Sequence, residues 1–216
     1  MLYGMNLYVS LLLCFVPLIA FFIIFCAAVP GFKMRYGIWA ALLGLLSVIP
    51  IAFVQFFVLS LPVFTANTLA AVLITALIFN GLIEESIKML CMLFLPAKKT
   101  PFSVFFTMAL LCGLSLGCFE AVIYLIAGYH QIGLRLVTAV IIHMLCAGLS
   151  GVYVWSFRKK RTRTLPFVYA AALHGIYNFF AGFSGGYRWF AVIAILFAAV
   201  ECRIWYTKTL SAQNGT

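Results

Sequence analysis

The sequence predicts an all-α integral membrane protein with about seven transmembrane helices. Hydrophobic residues make up 66% of the chain and charged residues only 8%, whereas a soluble domain carries about 25% charged residues. The mean hydropathy is +1.18, and long apolar runs follow one another along the chain. Because the bilayer core offers no water to backbone polar groups, such runs are expected to be helical.

Seven apolar runs meet or approach the roughly 20 residues that a helix needs to cross a bilayer. The third run is longer than one crossing requires, so it should tilt, and the sixth is the shortest. No repeat, soluble domain or linker interrupts them, so residues 1–216 are expected to form one polytopic membrane domain. The predicted spans are Leu7–Val29, Tyr36–Leu59, Thr68–Leu95, Phe102–Ala127, Leu134–Phe157, Leu165–Phe183 and Tyr187–Tyr206.

The positions of the basic residues predict the orientation of these spans. Of the 14 Lys and Arg residues, only Arg135 and Arg188 fall in connections on one side, and Lys88 lies within a span. The remaining basic residues lie in the alternate connections or at the C-terminal end. By the positive-inside rule the N-terminus is outside and the C-terminus cytoplasmic. The net charge of +10 then reflects topology and contact with anionic headgroups, and no nucleic-acid partner is expected.

Titratable side chains lie inside four consecutive predicted spans, the third to the sixth. A charged side chain at the centre of a bilayer costs at least about 2.5–3.5 kcal/mol on insertion scales. Such groups are therefore expected to face a polar interior and to mark a functional site. They are Glu84, Glu85 and Lys88 in the third span, Glu120 in the fourth, His143 in the fifth and His174 in the sixth.

Helical spacing in the third span predicts which of these groups face the same way. Asn80, Glu84 and Lys88 recur at i, i+4 and i+8, which places them on one helix face. Glu85 and Lys88 are three residues apart, so Lys88 can reach either carboxylate. Because adjacent residues point about 100° apart on a helix, one glutamate is expected to act and the other to position or bind.

Small residues accompany the polar side chains of the following spans. Gly113 and Gly117 lie on the same face as Glu120, and small residues let helix backbones approach closely. His174 and Asn178 are four residues apart and also share a face. The polar groups are therefore expected to converge on one site in the core of the bundle.

This set of side chains suits hydrolysis. A buried carboxylate can act as a base toward water, and His or Asn donors can stabilise the oxyanion of a tetrahedral intermediate. Two His and a carboxylate can equally bind a zinc ion that activates the water. The chain has no HExxH motif and no Asp at all, which excludes aspartyl intramembrane chemistry.

Two other classes of function remain open from the residues alone. A proton- or ion-coupled transporter could use the same Glu and His side chains as a relay. The chain lacks the inverted repeats and paired broken spans that are typical of many transporters. A catalytically silent membrane scaffold or immunity-type protein is the third possibility.

The ordered polar residues of the third to sixth spans resemble the PrsW family of intramembrane proteases, which is related to CAAX-processing and bacteriocin-processing membrane proteins. The resemblance implies a multi-pass peptidase of the cell membrane, in the glutamic class. Its substrates would be membrane-anchored proteins such as anti-sigma factors, cleaved at site 1 in regulated intramembrane proteolysis. The matching motifs are Glu84-Glu85-Ser86-Ile87-Lys88, Gly117-Cys118-Phe119-Glu120, His143 and His174-Gly175-Ile176-Tyr177-Asn178-Phe179.

The resemblance also implies roles for these residues. Either Glu84 or Glu85 would activate water, and Lys88 would hold their charge. His174 with Asn178 would serve as orienting or oxyanion donors. Asn80 is expected from its helical spacing, and not from the resemblance, to support the site. The expectation is a site without an obligatory metal; if zinc takes part, its ligands would come from Glu84, Glu120, His143 and His174. The predicted catalytic residues are Glu84, Glu85, Glu120, His143 and His174.

Overall fold

The computed structural model describes residues 7–58, 68–98, 100–128 and 132–214. These residues form a bundle of helices, as predicted for an all-α integral membrane protein. A π-helical segment, Ala76–Ile83, joins α3 to α4, and a 3₁₀ turn, Gly185–Arg188, precedes α9. The helices are α1 (Leu7–Ala28), α2 (Met34–Val58), α3 (Leu69–Thr75), α4 (Glu84–Met92), α5 (Phe102–Ile126), α6 (Ile132–Val137), α7 (Ala139–Arg158), α8 (Leu165–Ala181) and α9 (Trp189–Asn214).

Six helical segments of the described chain are long and apolar enough to cross a membrane. Several predicted bounds agree closely with the structure, for example α1 and α5, which each end one residue before the prediction. The predicted end of the second span, Leu59, and the loop residue Lys99 lie outside the described residues. The seventh predicted span corresponds to α9, and the sixth to α8, which has only 17 residues. At 1.5 Å per residue, α8 is about 25 Å long, shorter than the roughly 30 Å hydrocarbon core.

The centre of the bundle is the pair of helices α5 and α7, which pack against each other more extensively than any other pair of described elements. Gly113 allows this approach, because a Cβ at that position would collide with the backbone oxygen of His143. Helices α1 and α2 pack on the other side of α5, while α8 and α9 pack on α7. Large apolar side chains of α1, α2 and α9 remain exposed, as expected for surfaces that face lipid.

The third span is not one continuous α-helix. The backbone N–H of Glu84 donates to the carbonyl of Phe79, five residues back, at the end of the π-helical segment. A segment with i→i+5 bonds has more residues per turn than an α-helix, so residues four apart still lie close to one face. Asn80 lies half-buried inside this segment, and its alignment with Glu84 and Lys88 stays a prediction.

The fifth span is also interrupted. Thr138, with φ −125° and ψ −67°, separates the short helix α6 from α7. The membrane-length segment nevertheless runs across this break, from Ile132 to Arg158, and Arg135 lies within it. The charge count treats Arg135 only as an outer-side topology charge, although the predicted fifth span, Leu134–Phe157, contains it. The structure instead directs its side chain to Glu120, at 2.9 Å.

Candidate active site

Two glycines bring α8 against the π-helical segment at backbone contact. A Cβ on Gly175 would lie 2.7 Å from the Cα of Leu77, and one on Gly81 would collide with the backbone oxygen of Ala171. Neither position accepts a larger side chain unless the helices move apart. This close approach holds His174, the neighbour of Gly175, next to the two glutamates that begin α4.

Glu85 is fully buried and is held by three side chains from three different helices. Its Oε1 accepts a hydrogen bond from Nζ of Lys88 and lies 2.8 Å from Nδ1 of His174. Its Oε2 accepts a hydrogen bond from Oγ of Ser150 at 3.0 Å. Because an ionised carboxylate only accepts, Nδ1 is the donor and His174 is fixed in one tautomer. Glu85 therefore acts as the buried counterion of Lys88 and as the orienting partner of His174.

Glu84 has a different environment, although it is only 3% exposed. Its Oε1 accepts a hydrogen bond from Nε2 of Gln55, on α2, at 2.6 Å. Its Oε2 faces Nε2 of His174 at 3.8 Å. That nitrogen is buried and has no hydrogen-bond partner among the described residues. Since Nδ1 carries the ring proton, the lone pair of Nε2 faces a carboxylate oxygen, an arrangement that a bridging water or cation would stabilise.

Glu84 also borders a cavity of about 150 Å³ between α2, α4 and α5. Gln55 and Glu120 line the polar part of this cavity, and apolar residues of α2 and α5 line the rest. One of them, Ile123, is 46% exposed, and Ala52 is exposed as well. The cavity therefore lies open to the lipid-facing surface between α2 and α5, and its volume accommodates several waters at about 30 Å³ each.

Glu120 and His143 form a second carboxylate–histidine pair. Nε2 of His143 lies 2.8 Å from Oε2 of Glu120, and Nη2 of Arg135 pairs with the same oxygen at 2.9 Å. The guanidinium of Arg135 also lies 3.5 Å from the centre of the Tyr124 ring, a cation–π contact. Close packing fixes this pair, because a Cβ on Gly117 would lie 3.2 Å from Cδ2 of His143.

The two histidines meet edge to face at the centre of the bundle. Their ring centroids are 4.6 Å apart and their planes are inclined by 78°. Nδ1 of His143 lies 3.5 Å from Nζ of Lys88. Each imidazole thus turns one nitrogen to a carboxylate, Glu85 for His174 and Glu120 for His143. Metal-ligating histidines are held by outer carboxylates in this way.

The side chains of Glu84, His143 and His174 could hold a metal ion. One ligand atom from each residue lies within 4.8 Å of the others, and all three residues are buried. The lone pair of His174 Nε2 that faces Glu84 suits a cation. Two histidines with one carboxylate also form a known ligand set of catalytic zinc. Glu120, a fourth candidate from the sequence, is not in this group; its carboxylate contacts His143 and Arg135. The residues present therefore fit a zinc ion.

A family model for PrsW family intramembrane metalloproteases matches residues 33–201. The match covers more than half of the chain and includes every residue of this site. The chain belongs to the PrsW family. No curated protein and no solved structure gives a significant match to it. The resemblance inferred from the ordered motifs is thereby confirmed, and the protein is a multi-pass membrane peptidase.

The structure of this PrsW-family protein brings the five predicted catalytic residues to one cluster, in which all except the half-buried Glu120 are buried. Their individual roles in catalysis stay a prediction. The supporting asparagines are less closely connected to the cluster. Nδ2 of Asn178 donates to the backbone oxygen of His174 at 3.3 Å, so it contacts the main chain of α8. Asn80 is half-buried in the π-helical segment.

Three further residues of the PrsW-family site were not predicted from the sequence. Gln55 was detectable in principle, because its amide interrupts an otherwise apolar stretch of the second span. Arg135 was seen but assigned to a connection. Ser150 gave no signal, since serine is common at the packed faces of membrane helices.

Proposed function

We propose that this protein hydrolyses peptide bonds of membrane-anchored proteins and that Glu84 is the carboxylate that activates the attacking water. The observation that supports this assignment is the contrast between adjacent glutamates. Glu85 is surrounded by Lys88, His174 and Ser150 and is sealed from the cavity. Glu84 borders the cavity and faces an unpartnered nitrogen of His174.

The geometry supports a defined position for the water. The 3.8 Å between Oε2 of Glu84 and Nε2 of His174 is short enough for one water to donate a hydrogen bond to each acceptor. The oxygen lone pairs of that water then face the cavity, where a substrate carbonyl carbon would lie. Glu84 takes the proton as the water attacks and later returns it to the leaving amine. Gln55 holds the Glu84 carboxylate in place for both steps.

The remaining residues fix the histidines and the charge balance. Glu85 orients His174 and compensates Lys88, while Glu120, held by Arg135, orients His143. Glu84, His143 and His174 are the residues that would hold a zinc ion. With zinc bound there, Glu84 would act as a ligand instead of as the base, and the zinc would supply the activated water and would polarise the scissile carbonyl. We include zinc in the proposal because the donor set fits it, whereas the sequence alone favoured a site without an obligatory metal.

The cavity supports a membrane-embedded substrate. It opens between α2 and α5 toward lipid, so an extended segment of a membrane-anchored chain can reach Glu84 without leaving the bilayer. Its volume of about 150 Å³ favours small side chains next to the scissile bond. A single-span anti-sigma factor, cut at site 1 in regulated intramembrane proteolysis, is proposed on the family resemblance alone.

Cleavage of a single-span reporter in proteoliposomes tests the proposal. Glu84→Gln should lower the rate by about 100-fold or more, the range for loss of a general base. Glu201→Gln is the matched control, since Glu201 lies on α9 outside the cluster, and it should cleave at the wild-type rate. Undiminished cleavage by folded Glu84→Gln would refute the role of Glu84. Absence of cleavage by the wild-type protein, with ion flux instead, would favour a transporter.

A further inference from the structure

A second and larger cavity lies at the opposite end of α7 from the active site. Its volume is about 350 Å³, within the range of small-molecule sites. Trp155 and Lys159 line it at the end of α7, Arg161 and Arg163 in the connection to α8, and Thr209 in α9. Trp155 is twelve residues from His143, about 18 Å along the helix. By the positive-inside rule this end of the bundle lies at the cytoplasmic surface.

The charge of this basic cavity is not compensated by the protein. Lys159, Arg161 and Arg163 line it together, and no carboxylate of the described residues does. Among the described residues, none of these three cations forms an ion pair with a carboxylate. The whole chain has only four acidic residues, and three of them belong to the active site. The fourth, Glu201, is eight residues from Thr209, about 12 Å along α9. The cavity is therefore suited to an external anion.

The backbone that carries these cations has a defined conformation. The N–H of Arg161 donates to the carbonyl of Ser156 at 2.9 Å, and that of Lys160 donates to the carbonyl of Phe157 at 3.0 Å. These two bonds form the Schellman ending of α7. Lys160 has φ 57°, at a position that usually carries glycine. Backbone strain of this kind is common at functional sites, and here it gives a sharp turn directly before Arg161.

Side-chain contacts hold the cations at the cavity. Nη1 of Arg163 donates to Oγ1 of Thr209 at 3.3 Å, and the N–H of Arg163 donates to Oγ of Ser156 at 3.0 Å. Nζ of Lys159 lies 4.8 Å from the ring centre of Trp155, a cation–π contact. The positive groups are thus arranged around one concave space before any ligand enters it.

We propose that this basic cavity binds the phosphate group of an anionic phospholipid of the cytoplasmic leaflet. Guanidinium groups match the geometry of phosphate oxygens, and basic pockets at the cytoplasmic ends of transmembrane helices bind acidic headgroups. A soluble phosphate ester offers the same chemistry. The position of the cavity at the membrane boundary favours the lipid, whose headgroup is held there at high local concentration. This inference does not depend on the proposed proteolysis.

Native mass spectrometry of the purified full-length protein tests the inference, with phosphatidylglycerol and phosphatidylcholine as probes. The wild-type protein should bind phosphatidylglycerol at least about tenfold more tightly than phosphatidylcholine, because only the former leaves its phosphate charge uncompensated. The double variant Lys159→Gln/Arg161→Gln should lose that preference. The double variant Lys33→Gln/Arg35→Gln is the control. It removes the same amount of charge from another connection on the same side, away from the cavity, and should keep the preference for phosphatidylglycerol.

The comparison between the two double variants decides the outcome. Equal loss of binding in both would mean general attraction to anionic lipid and would overturn the proposal. Displacement of bound lipid by an equal concentration of glycerol 3-phosphate would assign the cavity to a soluble ester and would overturn it as well. Arg161→Lys keeps the charge but removes the planar fork, so it should weaken phosphatidylglycerol binding without lowering the melting temperature. Unchanged binding in Arg161→Lys and in the Lys159→Gln/Arg161→Gln variant would refute the site.

Discussion

Oε2 of Glu84 faces Nε2 of His174 across 3.8 Å, in a region that is closed to bulk solvent. With Glu84 ionised, both atoms are acceptors, because the ring proton of His174 is used on Glu85. A buried pair of acceptors is unfavourable without a donor or cation between them. The fold maintains this pair through the backbone contact between α8 and the π-helical segment, so the space between the two atoms is the place where the reaction is expected to occur.

Glu85 is expected to contribute more to stability than to bond cleavage. Glu85→Gln leaves the fully buried Lys88 without its counterion, and breaking a buried ion pair in this way costs about 3–5 kcal/mol. Lys88→Met in the same chain removes the unpaired charge, so the double variant should regain part of the lost stability. Thermal unfolding in detergent of the wild type, the two single variants and the double variant measures the coupling energy between Glu85 and Lys88. Strictly additive losses would show that Glu85 and Lys88 do not stabilise each other.

Zinc binding provides a test that does not require a substrate. The wild-type protein should retain about one zinc ion per chain after purification, as expected for one catalytic site. His174→Ala and Glu84→Gln should each reduce the zinc content, while Glu201→Gln should not. Elemental analysis gives the number of zinc ions per chain. A cleavage assay after dialysis against a chelator shows whether cleavage depends on zinc. Full cleavage by the chelated, zinc-free protein would support the metal-independent site that the sequence favoured.

Gln55 is expected to act through Glu84. Gln55→Met keeps the length of the side chain but removes the donor to Oε1 of Glu84, and loss of such an outer contact lowers activity by about 10–100-fold. The decrease should appear in kcat with little change in KM, because the amide holds the carboxylate that activates water. Steady-state kinetics on the reporter separates the two constants. A raised KM with unchanged kcat would instead assign Gln55 to substrate binding.

Gly117 is expected to be essential for the position of His143. A Cβ at this position would lie 2.9 Å from the Cα of Val140, so Gly117→Ala forces α5 and α7 apart at a cost of about 1–3 kcal/mol. The variant should therefore unfold at lower temperature and cleave more slowly. Gly186→Ala is the matched control, since a Cβ added to Gly186 would have no heavy atom of another described residue within 4 Å. Equal effects of the two changes would argue against a specific packing role.

Composition and span length predicted most of the fold, because the bilayer imposes both. Apolar runs such as Phe102–Ala127 have nearly the bounds of the corresponding helix, Phe102–Ile126. The polar residues of the site could be identified from the sequence for a related reason. A charged side chain such as Lys88 inside an apolar run is costly in a bilayer, so it is expected only where it faces a polar interior. Their grouping around His174 followed from facing small residues, which mark packed helix faces.

The sequence could not show the distinct environments of the two glutamates. The π-helical segment that ends directly before Glu84 has no signal in the spacing of polar and apolar residues. The bond from Gln55 to Glu84 joins residues 29 positions apart, and the bond from Ser150 to Glu85 joins residues 65 apart. Such contacts depend on how whole helices pack, and local spacing carries no information about them.

The 17-residue length of α8 has a consequence for the membrane around the protein. A helix about 5 Å shorter than the hydrocarbon core creates hydrophobic mismatch, which a bilayer relieves by thinning locally. His174 is seven residues from the end of α8, about 10 Å along its axis, so thinning on that side shortens the path of water to the catalytic cluster. We therefore expect the protein to work fastest in bilayers with short acyl chains, and membrane thickness would then regulate its activity.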